Sequence, residues 1–144
     1  MSLQDLVPSG ALEREGLTTG EVQRFQKSIQ DRIADASNAE NSNSTRMELA
    51  YHAVLECAIL ALRVDGFRLK SVRGHHQIAL ETLSETIGTT TEVIDYFLEL
   101  SSLRGAVLCE AAPVSDSDVE DAIAAAIELA DKLTGWIKFR INGQ

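Results

Sequence analysis

Proline and cysteine each occur only twice in this 144-residue chain, tryptophan once, and aromatic side chains make up 5% of it. Few prolines and nine glycines exclude a collagen-like or Pro/Gly-rich disordered chain, and an apolar fraction of 44% is that of an ordinary globular domain. The scarcity of rings leaves the core to aliphatic side chains. Cys57 and Cys109 lie far apart with no CxxC spacing, and no secretory hydrophobic stretch stands near the start, so two reduced thiols in a cytoplasmic protein are expected. Apolar runs such as Ala122–Ile127 are far too short to span a bilayer, so no membrane partner is expected.

Basic charge is also short. The net charge of −9 repels nucleic acid from the molecule as a whole unless cations are gathered in one place. They are unevenly spread. Arg63, Arg68, Lys70 and Arg73 face a lone Asp65 between positions 63 and 76, whereas Glu110 to Asp131 holds seven acids and no Lys or Arg. An anionic partner would meet the first region and a cationic partner the second.

The length fits one domain, with residues 1–18 as an N-terminal arm and 19–141 as a helical body. Val22, Phe25, Ile29 and Ile33 recur at helical spacing, with Thr18 and Glu21 as a capping box. The polar SNAENSNS stretch (37–44) reads as a loop, after which Thr45 with Glu48 opens a second helix. Its broad face of Met47, Tyr51, Val54, Leu55, Ala58, Ile59 and Leu62 marks a central helix packed on two neighbours. The FRLKSVRG segment (67–74) reads as a basic loop. A shorter helix carries His76, Ala79, Leu80, Leu83 and Ile87 to Gly88. Thr89 with Glu92 opens a long one to about Cys109, where Pro113 stops it. Ser115 or Ser117 caps a last helix with acids in its first turn and alanines along one face. No stretch alternates with period two, so the fold class is all-α: an up-and-down bundle of about five helices.

No complete active site is spelled out. His75 and His76 are adjacent and on a helix point about 100° apart, so no metal site is expected, and no cofactor. Cys109, five residues after Arg104, is a candidate nucleophile without a nearby base, and both thiols also read as small buried hydrophobes. Arg104 lies on the stripe of Phe97, Leu100 and Ser101. A guanidinium emerging there is either paired with an acid such as Glu48 or Glu56, or turned toward a shared cleft. The catalytic candidates are therefore Arg104 and Cys109. The binding candidates are Arg104, Arg63, Arg68, Lys70, Arg73, His75 and His76, set against the plain reading of 63–73 as a solvated basic loop.

The order Tyr51-x-Ala53 on an alanine-rich second helix, Gly66, Arg73-Gly74-His75-His76, a long helix bearing Arg104, Ala-Pro-Val-Ser (112–115), Asp118-x-x-Asp121-Ala122 and Ala126-x-x-x-Ala130 resembles that of HEPN domains, over about 45–137. The resemblance implies an α-helical bundle, commonly a homodimer, in a family rich in RNases and antitoxin-partnered toxins. Its nuclease branch uses an Arg and a His five positions later, paired across the dimer, without metal. Here Arg104 matches, Gly105 replaces the usual polar residue and Cys109 stands in the place of the His. A thiol there shuttles no proton as an imidazole does. The resemblance thus implies a non-catalytic dimeric interaction module with RNA or a nucleotidyltransferase-like protein as partner. The alternatives are a metal-independent endoribonuclease taking His52, His75 or His76 as its base, and a subunit that binds proteins through its acidic last helix.

Overall fold

The structure, a computed structural model, describes residues 2–142, with residue 142 described by its backbone alone. A 3-10 turn (Leu3–Leu6) leads to β1 (Leu12–Arg14). There follow α1 (Glu21–Ala36), α2 (Asn43–Val64), β2 (Phe67–Leu69), α3 (His75–Glu81) continued by a 3-10 turn (Thr82–Ser84), α4 (Thr91–Glu110) and α5 (Asp116–Asn142). The molecule is a helical bundle, and among the described residues no helix is long and apolar enough to cross a membrane.

Helix α2 is the axis. Met47, Ala50, Ala53, Val54, Cys57, Ala58, Leu60 and Ala61 are all fully buried, so the helix is apolar nearly all the way round, as a helix enclosed by others must be. It packs chiefly on α1 and α5, and α3 and α4 close its remaining side. The sequence-predicted two neighbours are thus the main pair among four. Ala122 and Ala126 of α5 are buried against it, because alanine on both sides lets two backbones approach closely. The Asn43 amide donates to the Val114 carbonyl (3.1 Å) and Asp116 Oδ1 (2.8 Å), locking the start of α2 to the start of α5.

Several helix starts differ from the sequence reading by one to three residues. The cap of α2 is Ser42, whose hydroxyl accepts from the Thr45 amide, rather than Thr45, and the cap of α4 is Thr90 rather than Thr89. Thr18 does donate to Glu21, but α1 begins only at Glu21, after Gly20 in the left-handed region (φ 78°). Glu21 is drawn instead into a buried ion pair. Ser115 Oγ accepts from the Asp118 amide at the start of α5, one of the two predicted caps.

Two three-residue strands depart from the all-helical expectation. β1 and β2 pair antiparallel, with Leu12 opposite Leu69, Glu13 opposite Arg68 and Arg14 opposite Phe67. Strands this short show no period-two pattern. Leu3, Leu12, Leu62 and Phe67 form a small second core beneath them, so the N-terminal arm is a fixed part of the body.

Candidate functional site

The side chains with the most chemistry on offer gather where α2, α3 and α4 meet. From α2 come Glu48 and His52, one turn apart on one face, with Tyr51 between them. Gly74, at φ 74°, turns the chain so that α3 begins at His75. The Nδ1 atom of His75 lies 3.0 Å from the Val72 carbonyl oxygen, and its ring touches that of His76 edge-on at 4.3 Å. Helix α4 brings Ser101 and Arg104, because buried Phe97 and Leu100 on the same stripe seat that face on the core.

Arg104 takes Glu48, one of the two acids predicted for it. Its Nε donates to both carboxylate oxygens, at 2.7 and 2.9 Å. Glu56 is engaged elsewhere, accepting from Arg32 Nε at 3.1 Å. The guanidinium lies over the Tyr51 ring, 5.4 Å from its centre, and the Tyr51 hydroxyl donates to Ser101 Oγ at 3.3 Å. Among the described residues every hydrogen bond of Arg104 leaves from Nε, and 32% of its side chain is exposed. Glu48 and Tyr51 therefore hold the plane of the group while Nη1 and Nη2 stay open to an outside acceptor, which is the edge that grips a phosphate or carboxylate bidentately.

His76 stands within the electrostatic reach of this group. Partial burial, and then the positive charges of His75, Arg104 and His52, push its pKa below the ordinary 6.5. Both effects favour the uncharged form of the imidazole. The two cysteines fall outside the cluster in chemical terms. Burial pushes the Cys57 thiol far up, with Glu56 adding to the effect, so it is inert. Cys109 lies exposed near the C-terminal end of α4 beside Leu108, which is 75% exposed, so it is not the small buried hydrophobe of the sequence reading.

The predicted basic footprint is largely taken apart. Arg63 is 1% exposed and cannot meet a ligand: its five donors go to both oxygens of Glu21 (2.7 and 3.1 Å) and to the carbonyls of Glu15, Gly16 and Phe67. Arg68 pairs with Glu15 and Lys70 with Glu13 (3.1 Å), both acids coming from the N-terminal segment. Strand pairing across more than fifty residues brings these acids over the basic stretch, which no local spacing reveals. Arg73 is exposed and, among the described residues, makes no ion pair, two positions before His75. His75, His76 and Arg104 thus come together, Arg73 adjoins them in sequence, and Arg63, Arg68 and Lys70 belong to a structural network. Packing brings Glu48 and His52 into the cluster; from sequence Glu48 is one of two acids offered to Arg104 and His52 one of three histidines offered as a base.

Compared with models of known protein families, with curated proteins and with solved structures, the chain matches none of them.

Proposed function

We propose that this chain is a HEPN-like helical module that works as a homodimer and holds a phosphate of RNA in the open edge of Arg104, without cutting it. The single observation that carries this reading is the fixed guanidinium: Glu48 and Tyr51 orient it, and its terminal nitrogens remain free. Charge-assisted bonds from such a group are worth about 1.5–3 kcal/mol each. Arg104→Ala is therefore expected to weaken binding of a single-stranded RNA about tenfold or more. Glu48→Gln is expected to weaken it less, since it loosens the orientation but leaves the cation. Fluorescence anisotropy at two salt concentrations measures both, and equal affinity of parent and Arg104→Ala would end the proposal.

The dimer half of the reading has its support on the same helix. Leu108 is largely exposed, and Leu103 and Val107 are only partly covered. Gly105 lies mid-helix, where an added Cβ would meet nothing within 4 Å. A glycine in a helix interior costs about 0.5–1 kcal/mol relative to alanine, so Gly105→Ala is expected to stabilise the isolated subunit. If two copies approach at this backbone, the same methyl weakens their association. Sedimentation equilibrium reads the dimer constant, and a constant unchanged by the substitution moves the contact away from Gly105. A parent protein that stays monomeric at all concentrations removes the dimer altogether.

One observation favours a second reading, a metal-independent endoribonuclease: a neutral His76 beside Arg104 supplies the base that Cys109 cannot. Cleavage of RNA in EDTA by the parent but not by Arg104→Ala or His76→Ala would establish it over the binding module.

A further inference from the structure

The whole of the −9 net charge lies between Thr91 and Asp131, where ten carboxylates accompany one cation, Arg104, whose Nε pairs with Glu48 of another helix. Outside this stretch acids and bases balance. Among the described residues only Glu128 of the ten has an ion pair, with Lys132 in the next turn at 3.3 Å. Two of these carboxylates, Glu92 and Glu128, line a groove of about 460 Å³ between the start of α4 and the middle of α5. Its floor includes Phe97 and Leu129, and Val93 stands 38% exposed at its mouth. Tyr96 lines the same groove, as does Lys132, the ion-pair partner of Glu128. The Tyr96 hydroxyl senses the surrounding field: burial first, then Asp121, Asp118 and Glu99, push its pKa above the ordinary value.

We propose that this groove docks a cationic amphipathic helix of a partner protein, with one apolar side chain seated over Val93 and Phe97 and Lys or Arg on the flanking turns meeting Glu92, Glu128 and Asp121. Charge complementarity names the occupant. An apolar floor alone would accept any hydrophobic segment, but Glu92, Glu128 and, near Tyr96, Asp121 outnumber Lys132, a cation that also lines the groove, and so repel nucleic acid, acidic peptides and anionic lipid. A free inorganic cation would leave Val93 and the apolar floor in water. A helix laid between two helices satisfies its own backbone and presents anchors at three- and four-residue spacing. The proposal is independent of RNA binding, because Arg104 takes no part in it.

The test uses the full chain and a synthetic Lys/Leu amphipathic helix of about 15 residues, long enough to fold on a surface. A control peptide has the same composition in an order that destroys the apolar face. Isothermal titration is expected to show binding of the first peptide, at least tenfold weaker binding of the control, and a loss of similar size in the double variant Glu92→Gln/Glu128→Gln. Ala125→Trp, which fills the groove, is expected to abolish binding with the melting curve retained. Amide chemical shifts of the parent provide a readout that needs no variant, and the peptide is expected to move Val93, Tyr96 and Leu129. Arg104→Ala is expected to bind the peptide as the parent does. Equal binding of the two peptides, indifference to the charge variant, shifts confined to other surfaces, displacement of the peptide by spermidine at its own affinity, or no binding at all would each overturn the proposal.

Discussion

Replacing Arg63 with alanine is expected to cost the fold about 3–5 kcal/mol, the range for removing one partner of a buried ion pair. The side chain is 1% exposed and every one of its five donors is used. Its loss leaves the Glu21 carboxylate, 8% exposed, with the two Thr18 donors on Oε1 and no hydrogen bond from a cation on Oε2, and takes a donor from three carbonyl oxygens. Arg63→Lys is expected to recover little, because an ammonium cannot serve five acceptors set out for a planar fork. A double variant, Arg63→Met with Glu21→Leu, is expected to recover part of the loss by removing the stranded charge, but not the loss at the carbonyls. Urea unfolding midpoints measure all three. The pH dependence follows from Glu21. The hydrogen bonds of Arg63 hold its carboxyl at about 2 against an ordinary 4.5, in spite of burial. A depressed carboxyl stabilises the fold in full above 4.5, and the contribution is lost as pH falls through about 2. Arg63→Ala is expected to flatten that acid limb, and a limb as steep as the parent's would show that the pairing does not control Glu21.

Leu80→Ala is expected to destabilise the protein by about 2–5 kcal/mol, as for other fully buried leucines, and to act on the Arg104 cluster from a distance. Helix α3 has only seven residues, too few to persist alone, and Ala79, Leu80 and Leu83 pin it and the following turn to the core. His75 and His76 ride on its first turn. If the anchor is lost and the turn loosens, His76 leaves its partly buried place and the charges of Arg104 and His52, so its titration should rise toward the ordinary 6.5. NMR titration of the histidine ring reads this directly. An unchanged His76 in a destabilised variant would mean that the turn is held by something other than its buried leucines.

The contrast between these two residues shows how far the sequence was legible. Leu80 lies three and seven residues before Leu83 and Ile87, and periodicity alone assigns it to the core. The same reasoning finds the five helices, the central role of the second and the close approach along the alanines of the last. It also offers Glu48 and Glu56 as possible partners for Arg104, with a shared cleft as the alternative, and packing selects Glu48. Arg63 misleads because it is local only in sequence. Four cations within eleven residues look like a surface footprint until Glu13 of β1 and Glu15 just after it pair with Lys70 and Arg68 and Glu21 closes on Arg63, leaving only Arg73 of the four without an ion pair among the described residues. The strands themselves are invisible for the related reason that three residues hold less than two periods of any alternation. His52 joins the cluster through the packing angle of α2 against α3 and α4, which spacing along one helix does not encode.

The Arg63 grip on the N-terminal segment is made mostly to the peptide backbone. Glu15 and Gly16 offer it carbonyl oxygens, at 2.7 and 2.9 Å, which any amino acid possesses. A Cβ added at Gly16 would meet nothing within 4 Å, and the glycine holds no left-handed conformation. The guanidinium thus senses the path of the chain and is nearly blind to its spelling. Exchanges at position 16 are tolerated, whereas inserting or deleting one residue between β1 and α1 slides both oxygens out of register at once. This part of the molecule is permissive in letters and strict in length.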